Sequence, residues 1–94
     1  MYFLEPTPVD ICEELARRHK TLRKSMKLSQ AEMAERSGVS LGSLKRFENT
    51  GQISLMSLLI LANLMDRLND FEKLFLPKKD LSRIEKLFSN SGDK

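Results

Sequence analysis

Residues 29–51 read SQAEMAERSGVSLGSLKRFENTG, and this stretch decides the fold. Ser29 followed three residues later by Glu32 forms a capping box. The hydroxyl takes the amide of the third helical residue while the carboxylate reaches back to the cap, so a helix starts there. Ser37-Gly38 stops it, because glycine enters the left-handed conformation that ends helices without a Cβ penalty. Ser40 caps the next helix, which runs to about Asn49, and Thr50-Gly51-Gln52 is a loop. Ala34 lies midway between Gln30 and Gly38, where a small side chain lets the second helix cross close over the first. Met33 and Val39 then meet Leu44 and Phe47 on the inside.

The outward face of the later helix is unusual. Leu41, Lys45 and Asn49 fall at four-residue intervals, as do Gly42 and Arg46, while Leu44 and Phe47 point inward. Two apolar anchors thus hold a helix that shows water a leucine, a glycine and two cations. A helix seated in a DNA major groove can use that set. Arginine or lysine donates to guanine O6 and N7, and an aliphatic side chain touches a thymine methyl. A glycine there lets the helix backbone approach closely.

Helical patterns continue on both sides. Thr7-Pro8-Val9-Asp10 supplies a cap, a proline at the first helical position and an acid in the first turn. The helix it starts runs to about Met26, with Ile11, Leu15, Leu22 and Met26 as its apolar stripe. Ser54 caps a fourth helix carrying Leu55, Leu58, Leu59, Leu61, Ala62, Met65 and Leu68. Asn69-Asp70 restarts a short fifth helix that ends before Pro77. Asp80 caps a sixth with Leu81, Ile84, Leu87 and Phe88 as its stripe, and SNSGDK reads as a frayed end. The fold class is all-α: a bundle of about five helices over residues 1–77, with a C-terminal extension over 78–94.

Composition narrows the function. Ninety-four residues give one domain with a modest core, and the absence of Trp and of β-branched runs argues against a sheet. No stretch reaches the ~18 apolar residues of a membrane span. MYFLEPTPVD lacks the features of an export signal, and Cys12 stands alone, so the cytoplasm is the expected compartment. Cys12 and His19 are too few to hold a metal. Cys12 is expected to be packing, His19 a surface or rim histidine, and Met26, Met33, Met56 and Met65 core filler. One histidine and no nucleophile constellation leave no enzyme to build, and no cofactor is implied. Charge is unevenly spread. Residues 1–16 carry four acids and no base, whereas residues 17–46 carry nine cations against two acids, a surface suited to an anionic partner.

The stretch from Leu22 to Leu68 resembles the Cro/cI-type (XRE) helix-turn-helix family of bacterial and phage regulators. The resemblance rests on LRKSMKLSQAEMAERSGVS, SLKRFENTG and the leucine-rich helix ending in LANLM, with Arg23, Ser29-Gln30, Ala34, Gly38-Val39, Leu44 and Glu48 in register. It implies a lambda-repressor-like bundle that binds double-stranded operator DNA as a symmetric homodimer. Positions that read bases in such proteins fall on Leu41, Gly42 and Arg46, with Ser43 and Lys45 beside them. Ser40 and Asn49 match positions that touch phosphates, and Lys27 is a further candidate for the DNA backbone. Gln30 matches a backbone contact, though it also serves as a first-turn helix residue. Arg23 and Glu48 match a buried structural ion pair. Leu41-Gly42 departs from the polar readers many relatives place there, which leans the readout onto Arg46 and Lys45. The segment SLKRFENTGQISLMSLLILANLM followed by DFEKLFLP is also similar to HipB-type antitoxins, which pair with HipA-like kinase toxins and repress their own operon. A phage or plasmid repressor would carry the same motif. The extension past Pro77 is expected to join a dimer interface or engage a partner, leaving DNA to residues 17–49.

Overall fold

The computed structural model describes residues 5–77, and the expected sixth helix lies outside them. Four α-helices and one 3-10 helix follow in order: α1 Pro8–Ser25, α2 Gln30–Ser37, α3 Leu41–Thr50, α4 Leu55–Leu64, then the 3-10 turn Leu68–Phe71. No strand occurs among the described residues.

Each α-helix begins where a hydroxyl can satisfy its free amides. Thr7 and Ser29 make complete capping boxes with Asp10 and Glu32, and Ser40 and Ser54 accept from the backbone of Ser43 and Ser57. Gly38 and Gly51 end α2 and α3 in the left-handed conformation, at φ 81° and 82°. The turn between α1 and α2 reaches the same region without glycine, at Lys27 with φ 60°.

The core lies where α3 is clasped by α1 and α2, with α4 closing on α2. Met33, Leu44, Phe47 and Leu61 are sealed from solvent, and Ala16, Leu28, Ala34, Val39 and Met65 complete the cluster. Burying each of the large side chains is worth roughly 1.5–3 kcal/mol. Gly51 brings α3 against α1 so closely that a Cβ there would stand 2.7 Å from the carbonyl carbon of Cys12.

Several sequence expectations are corrected. The buried face of α1 is Ala16, His19 and Arg23, with Leu22 half-buried, whereas Ile11, Leu15 and Met26 are exposed. A polar network claims the inward face of α1, which displaces the apolar stripe to its flank. His19 is therefore buried and is no rim residue. Met33 and Met65 fill the core, but Met26 at the end of α1 and Met56 on the open side of α4 do not. Cys12 meets α3 through its backbone while its side chain is exposed. Leu55 and Leu68, placed in the apolar run of the fourth helix, are exposed as well. The fifth helix is a single 3-10 turn starting at Leu68. Asp66 and Phe75, at φ 60° and 65°, turn the chain on either side of it and leave room for little more. Leu15, Leu22, Leu58, Met65 and Phe71 line an open cleft of about 330 Å³ between α1, α4 and this turn.

Candidate nucleic-acid interface

Helix α3 is anchored from below by Leu44 and Phe47 and from behind by Glu48. The Glu48 carboxylate accepts four hydrogen bonds. Oε2 takes His19 Nδ1 at 2.7 Å and Arg23 Nε at 2.9 Å, and Oε1 takes Arg23 Nη2 at 2.9 Å and Gln30 Nε2 at 3.0 Å. That fills the acceptor capacity of an ionised carboxylate. Burial pushes the Glu48 carboxyl up, but the bonds from Arg23, Gln30 and His19 outweigh it and hold the group below its ordinary value. Arg23 Nη1 also donates to Leu28 O at 2.7 Å, so one guanidinium ties α1, the α1–α2 turn and α3 together.

His19 completes the cluster. Burial is the main influence on its imidazole and, against the opposing pull of Glu48, lowers its pKa and favours the neutral ring. An ionised Glu48 only accepts, which places the ring proton on Nδ1. The ring also stands edge-on to Phe47, at 5.3 Å between centroids.

The opposite side of α3 is open. Leu41, Gly42, Ser43, Lys45, Arg46 and Asn49 are all exposed, and nothing lies within 4 Å of where a Cβ on Gly42 would stand. Ser40 is exposed at the cap, its hydroxyl donating to Ser43 Oγ at 2.9 Å. Lys27 is exposed in the turn before α2. Gln30, the first residue of α2, is half-buried with one amide hydrogen committed to Glu48, which leaves its carbonyl oxygen and second hydrogen. Arg46 donates through Nη2 to Gln52 Oε1. Of the other basic candidates, Arg17 and Arg18 are both bonded to Glu14, whose pKa they hold down to about 2.

A helix-turn-helix family model of the Cro/cI (XRE) type matches residues 20–68, just over half of the chain. The chain belongs to that family. The match spans the latter part of α1, all of α2, α3 and α4, and the start of the 3-10 turn, so it contains Arg23, Gln30 and Glu48 of the buried cluster, with His19 just before it, and the open face of α3. No curated protein matches the chain. Helix-turn-helix membership supports DNA binding and transcriptional regulation, and the family is not catalytic. Among the described residues, no group of His, Cys, Asp and Glu is arranged to hold a metal ion, and no helix is long and apolar enough to cross a membrane.

Two residues that support the site escape a reading by sequence spacing. His19 carried a usable signal: it lies one turn before Arg23 on α1, so a buried Arg23 brings His19 to the same face. Gln52 carried none. It lies six residues beyond Arg46 and past a left-handed turn, where helical periodicity no longer applies.

Proposed function

We propose that this protein is a transcriptional repressor that binds a palindromic operator as a homodimer and reads it with α3. One observation carries the reading. Within the matched residues, α3 is locked from behind by Leu44, Phe47 and Glu48, while Leu41, Gly42, Lys45 and Arg46 are exposed to solvent. Rigid backing and an open, cationic face are what a helix needs to present fixed donors to base edges. In this reading Arg46 and Lys45 donate to guanine, Leu41 meets a thymine methyl, and Gly42 lets the backbone approach, with Ser43 beside them. Ser40, Asn49, Lys27 and the free part of Gln30 contact phosphates. Arg23 and Glu48 take a structural role.

The dimer is supported by α4, which carries no charged residue. Met56 and Ile60 lie exposed one turn apart on it, and Leu59 and Leu64 are half-buried. A helix apolar all round is stable in water when a second surface covers it. A HipA-like toxin would cover the same side chains in the antitoxin reading, and copurification of a larger protein with the tagged chain tests for it.

Footprinting on the chain's own promoter tests the main reading. An inverted repeat is expected, with half-sites about 34 Å apart along the duplex. Arg46→Ala is expected to weaken specific binding by ~1–3 kcal/mol and to relax the preference at one or two base pairs. An equal loss on every operator variant would make Arg46 a phosphate contact instead.

A further inference from the structure

We propose that the turn Thr50-Gly51-Gln52 is a positioning device for Arg46, with Gln52 holding the guanidinium in the orientation from which it reads a base. The inference rests on the DNA-reading function proposed for α3. Arg46 Nη2 donates to Gln52 Oε1, and both side chains line a cleft of about 340 Å³ together with Ser43, Ser54 and Ser57. The backbone beneath them is tied by a single hydroxyl. Thr50 Oγ1 donates to Arg46 O at 2.7 Å and accepts from Gln52 N at 3.1 Å, so the two partners share one anchor. Gly51 between them is buried, donates to Phe47 O at 2.7 Å and lies against the Cys12 backbone. The turn is therefore fixed by the helices it joins, and the amide carbonyl of Gln52 is presented from a rigid base.

The chemistry of the partner matters. Arg17, Arg18 and Arg67 bond to the carboxylates of Glu14 and Asp70 on the surface. Arg46 meets a neutral amide, which directs the guanidinium without cancelling its charge. One of its five N–H groups is used, and the rest suffice for a two-pronged approach to guanine O6 and N7. A guanidinium held in place before binding loses less side-chain freedom on contact, and that freedom corresponds to about a 2–10-fold difference in affinity.

The test measures binding of the full chain to its footprinted duplex and to a scrambled duplex, for the unmutated protein, Gln52→Met, Gln52→Glu, Arg46→Ala and the Gln52→Met/Arg46→Ala pair. Gln52→Met keeps the length and removes the acceptor. It is expected to lose about 2–10-fold on the footprinted site only. It should blunt preference at the same base pairs as Arg46→Ala, and add nothing once Arg46 is gone. Gln52→Glu keeps an acceptor and adds an anion, so it should preserve base preference while weakening both duplexes. An equal loss from Gln52→Met on both duplexes, or an undiminished loss in the Arg46→Ala background, overturns the positioning role. An unmutated chain that binds both duplexes alike overturns it too, and that result removes the DNA-reading function before any variant is compared.

Discussion

Gly42 and Gly51 are the same residue type held in place by different causes. Gly51 has a positive φ and no room for a Cβ, whereas Gly42 is helical with open space around it. Helix propensity alone favours alanine over glycine at such a site by up to about 1 kcal/mol. Gly42→Ala is therefore expected to raise stability by roughly that much, read as a higher urea midpoint. The methyl would also stand where the helix backbone is proposed to approach DNA, so operator affinity should fall. A stabilised protein with unchanged affinity would show that the approach at residue 42 is not close. The Glu48 carboxylate sets the complementary limit at this scale, because all four of its acceptor positions are taken by side chains from α1 and α2.

Among the elements, the α1–α2 connection is built against local preference. Lys27 takes a left-handed backbone conformation that costs a non-glycine residue roughly 1 kcal/mol. The turn persists because Lys27 N donates to Lys24 O at 2.9 Å and Arg23 reaches across to Leu28 O. Lys27→Gly is expected to leave stability unchanged or raise it by up to about 1 kcal/mol. The same change removes a proposed phosphate contact, so operator affinity should fall uniformly across sequences and the salt dependence should lose about one unit of slope. Thermal unfolding and a salt titration of binding read the two effects separately. A salt slope left at its original value would place Lys27 away from the phosphates.

Over the whole molecule, the two depressed pKa values of the buried cluster predict how the stability it contributes follows pH. His19 in the folded protein lies below its ordinary value of 6.5, chiefly through burial. The unfolded chain therefore takes up a proton first as pH falls, and stability present near pH 7 is lost progressively below about pH 6.5. Glu48 lies below 4.5, and its contribution holds until pH falls beneath that value and is lost on further acidification. Melting temperature should thus decline in two stages on acidification. His19→Gln is expected to remove the first stage, and a variant that keeps the same onset would place it elsewhere. Assembly is testable at the same scale. Ile60→Glu puts a charge on the open side of α4, away from the core, and is expected to convert a dimer to a monomer on sizing with its melting curve otherwise intact. A dimer that survives would move the interface off α4.

The sequence by itself determined where the four α-helices begin, where α2 and α3 end, and that the chain builds a helix-turn-helix. Thr7, Ser29, Ser40 and Ser54 act on amides within three residues, and Gly38 and Gly51 act through their own φ, so local order suffices to place them. The outward face of α3 was legible for the same reason, since a period of 3.6 residues separates Leu44 and Phe47 from Leu41, Lys45 and Arg46. Tertiary structure alone decided which flank of α1 faces α3. Ile11 and Leu15 promised an apolar face. Three hydrogen bonds to one buried carboxylate hold Arg23 and His19 inside instead, since a charge left unpaired in the core costs more than an exposed leucine. Tertiary structure also decided what Gln52 does, because the turn that brings it to Arg46 depends on the contact between Gly51 and Cys12, residues 39 positions apart.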